Sequence, residues 1–200
     1  MGNLRLLLVG TVLAVVVAGC GGNGDRGRYR DALAGPLQQL DRATGSAVQT
    51  ISAFERGRLS FRKAAAGVTQ AVRGVDAARK SIAAVQPPSR YAVAHRGLEH
   101  SVVLLRQALG AYDDYLHEFV GAVIAFQKSH AGSIEAAQAT ARYRLYSQLL
   151  HHFQSAAGEA SAAANGAMPL PSYVLSYSPP KTVVYVSEQG VFAGTPAGTD

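Results

Sequence analysis

A second cysteine is missing from this 200-residue chain, so no disulfide can staple it, and its stability must come from packing. Also missing is an apolar run long enough to cross a bilayer. The longest, Leu6 to Ala18, has roughly 13 residues, where a spanning helix needs about 20. Motifs that carry chemistry are equally sparse. There is no Gly-x-Ser-x-Gly elbow for a serine nucleophile and no Cys-x-x-Cys-His for haem. The paired Glu-x-x-His motifs of di-iron bundles reduce to one Asp114-x-x-His117. Gly21, Gly22 and Gly24 do not make a phosphate-cradling loop, because no strand precedes them and no Lys-Ser or Lys-Thr follows. The expectation from these absences is a protein that is not an enzyme and uses no cofactor.

What is present begins at the amino end. Arg5 supplies a positive start, Leu6 to Ala18 an apolar stretch, and Ala18 and Gly19 are small residues before Cys20, the layout of an export signal. The order Val17-Ala18-Gly19-Cys20 resembles the lipobox of bacterial lipoproteins. That resemblance implies cleavage after residue 19, a diacylglyceryl group on the Cys20 sulfur, and a location on the cell membrane or outer membrane, facing the periplasm or cell exterior. Two acyl chains suit this task, since each buried methylene contributes about 0.8 kcal/mol and a single chain binds only marginally. The chain then divides into a signal peptide (1–19), a lipidated glycine-rich tether (20–30), a helical body (31–166) and a proline-rich tail (167–200).

Formal charge is +6, and it is concentrated toward the anchor. Twelve Lys or Arg face five Asp or Glu between Gly24 and Arg90, against six and eight from Tyr91 to Asp200. Arg26, Arg28 and Arg30 follow the lipid site directly and are candidate contacts for anionic headgroups, each contributing on the order of 1 kcal/mol near such a surface. A solvated charge run explains them equally well. The basicity does not imply nucleic acid as a partner, because an exported, anchored chain has little access to it. An envelope protein or polymer is the expected partner class, and a small-ligand or metal-binding bundle is the alternative.

The body reads as long amphipathic helices. Tyr91, Leu98, Leu105, Tyr112, Phe119 and Phe126 recur at seven-residue spacing, with Ala94, Val102, Leu109, Leu116 and Val123 between them, predicting a helix from about Ser89 to His130. Phe61, Val68, Val75 and Ile82, with Ala65, Val72 and Val85, predict another that stops at Pro87-Pro88, with Ser89 available to cap its successor. Leu33, Leu37, Leu40, Ala47, Ile51 and Phe54 mark a first helix that Gly35-Pro36 would kink or restart and Gly57 would end. A fourth is expected from Ser133 to about Asn165-Gly166, with Ile134, Ala141, Leu145, Leu149, Phe153, Ala156, Ala160 and Ala163 on its core side. Its alanine-rich end should be the looser end. Four stripes joined by short connections predict an all-α, antiparallel up-down four-helix bundle. In the tail, Tyr173-Val174-Leu175 and Thr182 to Val186 read as strands around a Ser178-Pro179-Pro180 turn, partly ordered.

Few side chains suggest a site. His95 and Glu99, four apart, are weak metal candidates, although a salt-bridged pair beside the seam is the commoner arrangement. His152, expected to be partly buried among Leu149, Phe153 and Ala156, is another. Asp113, Asp114 and His117 should point to solvent. Tyr112, Tyr115, Tyr143 and Tyr146, with Arg142 and Arg144, would line a groove for an amphipathic or aromatic ligand or simply pack the core with wet hydroxyl tips.

Overall fold

Heptad stripes on four segments have one economical solution, and a computed structural model, which describes residues 22–170 and 176–194, adopts it. The helices are α1 (Gly22–Glu55), α2 (Phe61–Ala83), α3 (Ala92–Ser129) and α4 (Ser133–Ala163), followed by a hairpin of β1 (Val183–Ser187) and β2 (Gly190–Gly194). They run up, down, up and down. α1 packs on α2, α2 on α3, and α3 most extensively on α4. The core is one continuous cluster along the bundle axis. The two chain segments assigned above to the leader and to the Tyr173-Val174-Leu175 strand lie outside the described residues.

Corners fall where backbone chemistry requires them. Gly57 takes φ +68°, and Arg58 N–H donates to Ala53 O at 2.8 Å, closing α1. Pro87-Pro88 ends the α2 segment, but Ser89 does not cap α3. It opens a single 3-10 turn, Ser89–Tyr91, whose Tyr91 N–H donates to Pro88 O at 2.8 Å. At the third corner, Gly132 sits at φ +114°, where an added Cβ would meet Ala122 O at 2.7 Å. Asn165 and Gly166, both at positive φ, end α4 as expected.

Three expectations are corrected. Residues 22–30 are not a loose tether but the first turns of α1, with Tyr29 buried at 2% exposure and stacked on Tyr91 at 5.0 Å. A packed aromatic outweighs the helix-breaking tendency of three glycines. Pro36 does not restart a separate helix, and α1 runs unbroken from Gly22 to Glu55. The carbonyl it deprives of a donor belongs to Ala32, which is exposed to water. On α4 the core side is turned. Ala136, Ala139, Tyr143, Tyr146, Leu150, Phe153, Ala157 and Ala160 are buried, while Ile134 and Leu145 are exposed.

The helices are unequal, and this positions the tail. α3, at 38 residues, is about 57 Å long and α2, at 23, about 35 Å, so α3 and α4 project beyond the α1–α2 corner. The hairpin covers this projection, β1 against α4 and β2 against α3. Its turn is Glu188-Gln189, with Ser187 opposite Gly190, rather than the diproline. The strand-like run 182–186 therefore pairs forward with 190–194. Burial is thinnest at this projecting end, where Phe126 is only half-buried and Ile124 and Ile134 are exposed. At the alanine-rich end Gly97 lets α3 approach Ala160 so closely that an added Cβ would lie 3.1 Å from the alanine methyl.

Candidate functional site

Five tyrosines meet where the α1–α2 corner, α3, α4 and the tail converge. Tyr112 and Tyr146 lie 4.9 Å apart between ring centroids, Tyr115 and Tyr143 5.1 Å, and Tyr112 and Tyr115 5.2 Å. Tyr177 from the tail is held by Gln154, whose Nε2 donates to its carbonyl at 2.7 Å. The four helical tyrosines are at most 2% exposed, so their faces are core rather than groove lining along their length. Burial pushes each phenol upward, and all stay neutral at ordinary pH, which leaves no phenolate to act as a base.

Glu55, the last residue of α1, enters this cluster. Tyr143 donates its hydroxyl to Glu55 Oε1 at 2.8 Å. Partial removal from water raises the carboxyl above its usual 4.5, and the Tyr143 hydrogen bond and the Arg56 charge draw it partly back. Sequence inspection missed Glu55, because nothing beside it in the chain signals burial. Tyr115, Phe119 and Tyr143, which help enclose it, come from 60 and more positions away in the chain.

Beside Glu55 opens a cleft of about 460 Å³, within the usual range for small-molecule sites. Phe54 and Phe119 form its aromatic wall, bordered by the buried Tyr115, with Pro180 and Thr182 on one side and Phe192 of β2 at the rim. Phe54 and Phe119 meet edge to face at 6.3 Å. The hairpin wall is anchored by Thr140: Val184 N–H donates to its Oγ1 at 2.9 Å, and the hydroxyl lies 3.0 Å from Ala136 O and 3.3 Å from Val184 O. Pro180 and Thr182 also border a shallower hollow on α4 beside Tyr143, Arg144 and Gln148.

The other anticipated residues are dispersed. Cys20 lies outside the described residues. Arg26, Arg28 and Arg30 are exposed on the first turns of α1, with Arg28 bonded to Asp25 at 2.7 Å. Successive helical residues are about 100° apart, so Arg26 and Arg30 share a side and Arg28 points away from them. His95 is buried, with Nδ1 2.9 Å from the Tyr29 hydroxyl and Nε2 4.0 Å from Glu99 Oε1. Burial lowers its pKa below 6.5, with the Glu99 charge opposing, and raises that of Tyr29 to about 12. This is a neutral core pair.

His152 is exposed rather than partly buried, a consequence of the turned α4 face. Asp114 and His117 are exposed as anticipated, Asp114 paired with Arg142 at 3.5 Å, but Asp113 is half-buried and its carboxyl is raised by that burial. Among the described residues no three His, Cys, Asp or Glu side chains gather as a metal site, and no helix is long and apolar enough to cross a membrane. Comparison with protein-family models, curated proteins and solved structures finds no match to this chain.

Proposed function

We propose that the protein is a lipid-anchored module of the bacterial cell envelope that binds a ligand without transforming it, held by acylated Cys20 and facing the periplasm or cell exterior. The address rests on the Val17-Ala18-Gly19-Cys20 motif. The observation that carries the binding role is the polarity of the bundle. Helix begins at Gly22, two residues past the acylation site, and the cleft opens at the other end of α1, about 50 Å away at 1.5 Å per residue. An anchor at one end and a preformed cleft at the other present the site to the compartment rather than to the bilayer. Such a module is either a scaffold docking a protein or polymer, or a bundle holding a small ligand. The cleft, apolar with one inward carboxylate, favours the small ligand.

Fractionation of cells expressing the full chain tests the address. Wild type is expected in the detergent-extractable membrane fraction, and Cys20→Ser in the soluble exported fraction. Soluble wild type, or membrane-bound Cys20→Ser, would contradict the proposal.

A further inference from the structure

The chemistry of the cleft selects among ligands. Its accessible aromatic groups come from three elements: Phe54 of α1, Phe119 of α3 and Phe192 of β2, while Tyr115 borders it but is only 1% exposed. Ring faces are electronegative and attract cations held against them. Glu55 is the only acidic side chain among the described lining residues. It is half-buried, and one carboxylate oxygen already accepts the Tyr143 hydroxyl, which leaves acceptor capacity on a side chain that lines the cleft.

A neutral apolar guest would strip water from Glu55 with no compensation, and an anion would be repelled by it. A primary ammonium would bring three donors, but of the lining side-chain oxygens the Thr182 hydroxyl is engaged with Tyr143 and the Tyr115 hydroxyl is buried with its ring, which leaves Glu55. A methylated ammonium brings charge without donors, and its methyl groups pack against rings. Arg56, Arg58 and Lys181 are exposed, so water and salt weaken their repulsion of a cation in the cleft, although the Arg56 charge still reaches Glu55.

We infer that the cleft between the end of α1, α3 and the hairpin is a binding site for a quaternary ammonium group, with the Phe54, Phe119 and Phe192 rings as its walls and Glu55 as its counter-ion. This deepens the proposed ligand-binding role and does not depend on the lipid anchor. A binding failure therefore leaves the Cys20 fractionation result standing, and the reverse also holds.

The test uses the full chain in a non-ionic maltoside detergent, with choline and its uncharged isostere 3,3-dimethylbutan-1-ol as probes, followed through amide NMR shifts. Choline should saturate shifts at Val191 to Gly194 and bind at least tenfold more tightly than the isostere. Glu55→Gln should weaken choline at least tenfold and leave the isostere within twofold. Phe192→Leu, on the partly exposed hairpin, should reduce the choline preference about threefold, and it carries the test if the Glu55 variant fails to fold. Equal binding of both probes, shifts that map elsewhere, or a choline preference unchanged in a folded variant would each overturn the assignment. Phosphocholine separates the sources of the group. A free solute predicts weaker binding than choline, because the phosphate brings an anion toward Glu55, and a lipid headgroup predicts tighter binding. Either order, with the isostere weak, upholds the ammonium assignment.

Discussion

Thr140 is a small side chain in a costly place. Its hydroxyl takes the Val184 N–H in a buried setting and joins the first third of α4 to the tail. Valine keeps the shape and removes the acceptor, stranding a buried amide, so Thr140→Val should cost about 1–3 kcal/mol in urea unfolding. It should also speed hydrogen exchange at Val184, with Thr140→Ser retaining most of the protection. Glu55 makes the opposite kind of prediction. Its folded pKa is raised, so the folded state holds the proton more tightly than the unfolded chain. The stability it contributes is full below its ordinary value of 4.5 and is lost as pH rises through the folded value. Unfolding free energy of wild type minus that of Glu55→Gln should therefore decline from pH 4.5 toward neutrality, with the variant as stable or more stable at pH 7. His95, whose pKa is lowered, destabilises the fold on acidification below 6.5, but it is present in both proteins and cancels. A flat difference would mean that Glu55 is not held as described.

At the scale of elements, helix glycines separate packing from propensity. Gly74 of α2 faces Ala43 of α1, and a Cβ there would lie 2.8 Å from the alanine methyl. Gly110 of α3 has nothing within 4 Å of the same added atom. Gly110→Ala should stabilise the bundle by about 0.5–1 kcal/mol, the usual helix-interior difference, and Gly74→Ala should lose that gain and more by forcing α1 and α2 apart. Paired denaturation curves check both.

The same contrast explains what was legible from sequence. On α2 and α3 the large aliphatic and aromatic residues fall on one stripe, and Val68, Val75, Ile82, Leu98, Leu105 and Tyr112 are all buried as the heptads predict. α4 offers alanine on several sides, which marks no direction. Ile134 and Leu145 thus drew the predicted face toward solvent, while Tyr143 and Tyr146 turned inward. The strand 190–194 was not anticipated, because two prolines make a stronger local turn signal than Glu188-Gln189. Only Gly190, at φ +146°, marks the observed turn in the sequence. The cleft was not legible, since its walls come from the ends of three elements and its carboxylate from a helix terminus with no motif.

Taken whole, the molecule is a helical rod with chemically different ends. One end holds the start of α1, the α2–α3 corner and the Tyr29–Tyr91 stack, and follows the Val17-Ala18-Gly19-Cys20 sequence in the chain. The other holds the α1–α2 corner, the tyrosine cluster and the hairpin-roofed cleft. Exposed pairs such as Asp76–Arg106 at 3.3 Å and Asp114–Arg142 at 3.5 Å tie neighbouring helices at no more than about 1 kcal/mol each, so the rod's rigidity rests on its core. The account's central claim is that lipid holds the first end and the cleft faces away from it. Once Cys20 is acylated no other native thiol remains, so single cysteines accept spin labels cleanly. Lipidated protein labelled at Ala84→Cys or at Arg58→Cys, in vesicles bearing a nickel-chelating lipid, gives the measurement. Strong relaxation at position 84 and little at 58 is the predicted result, and equal relaxation, the reverse order, or no retention on the vesicles would contradict the account.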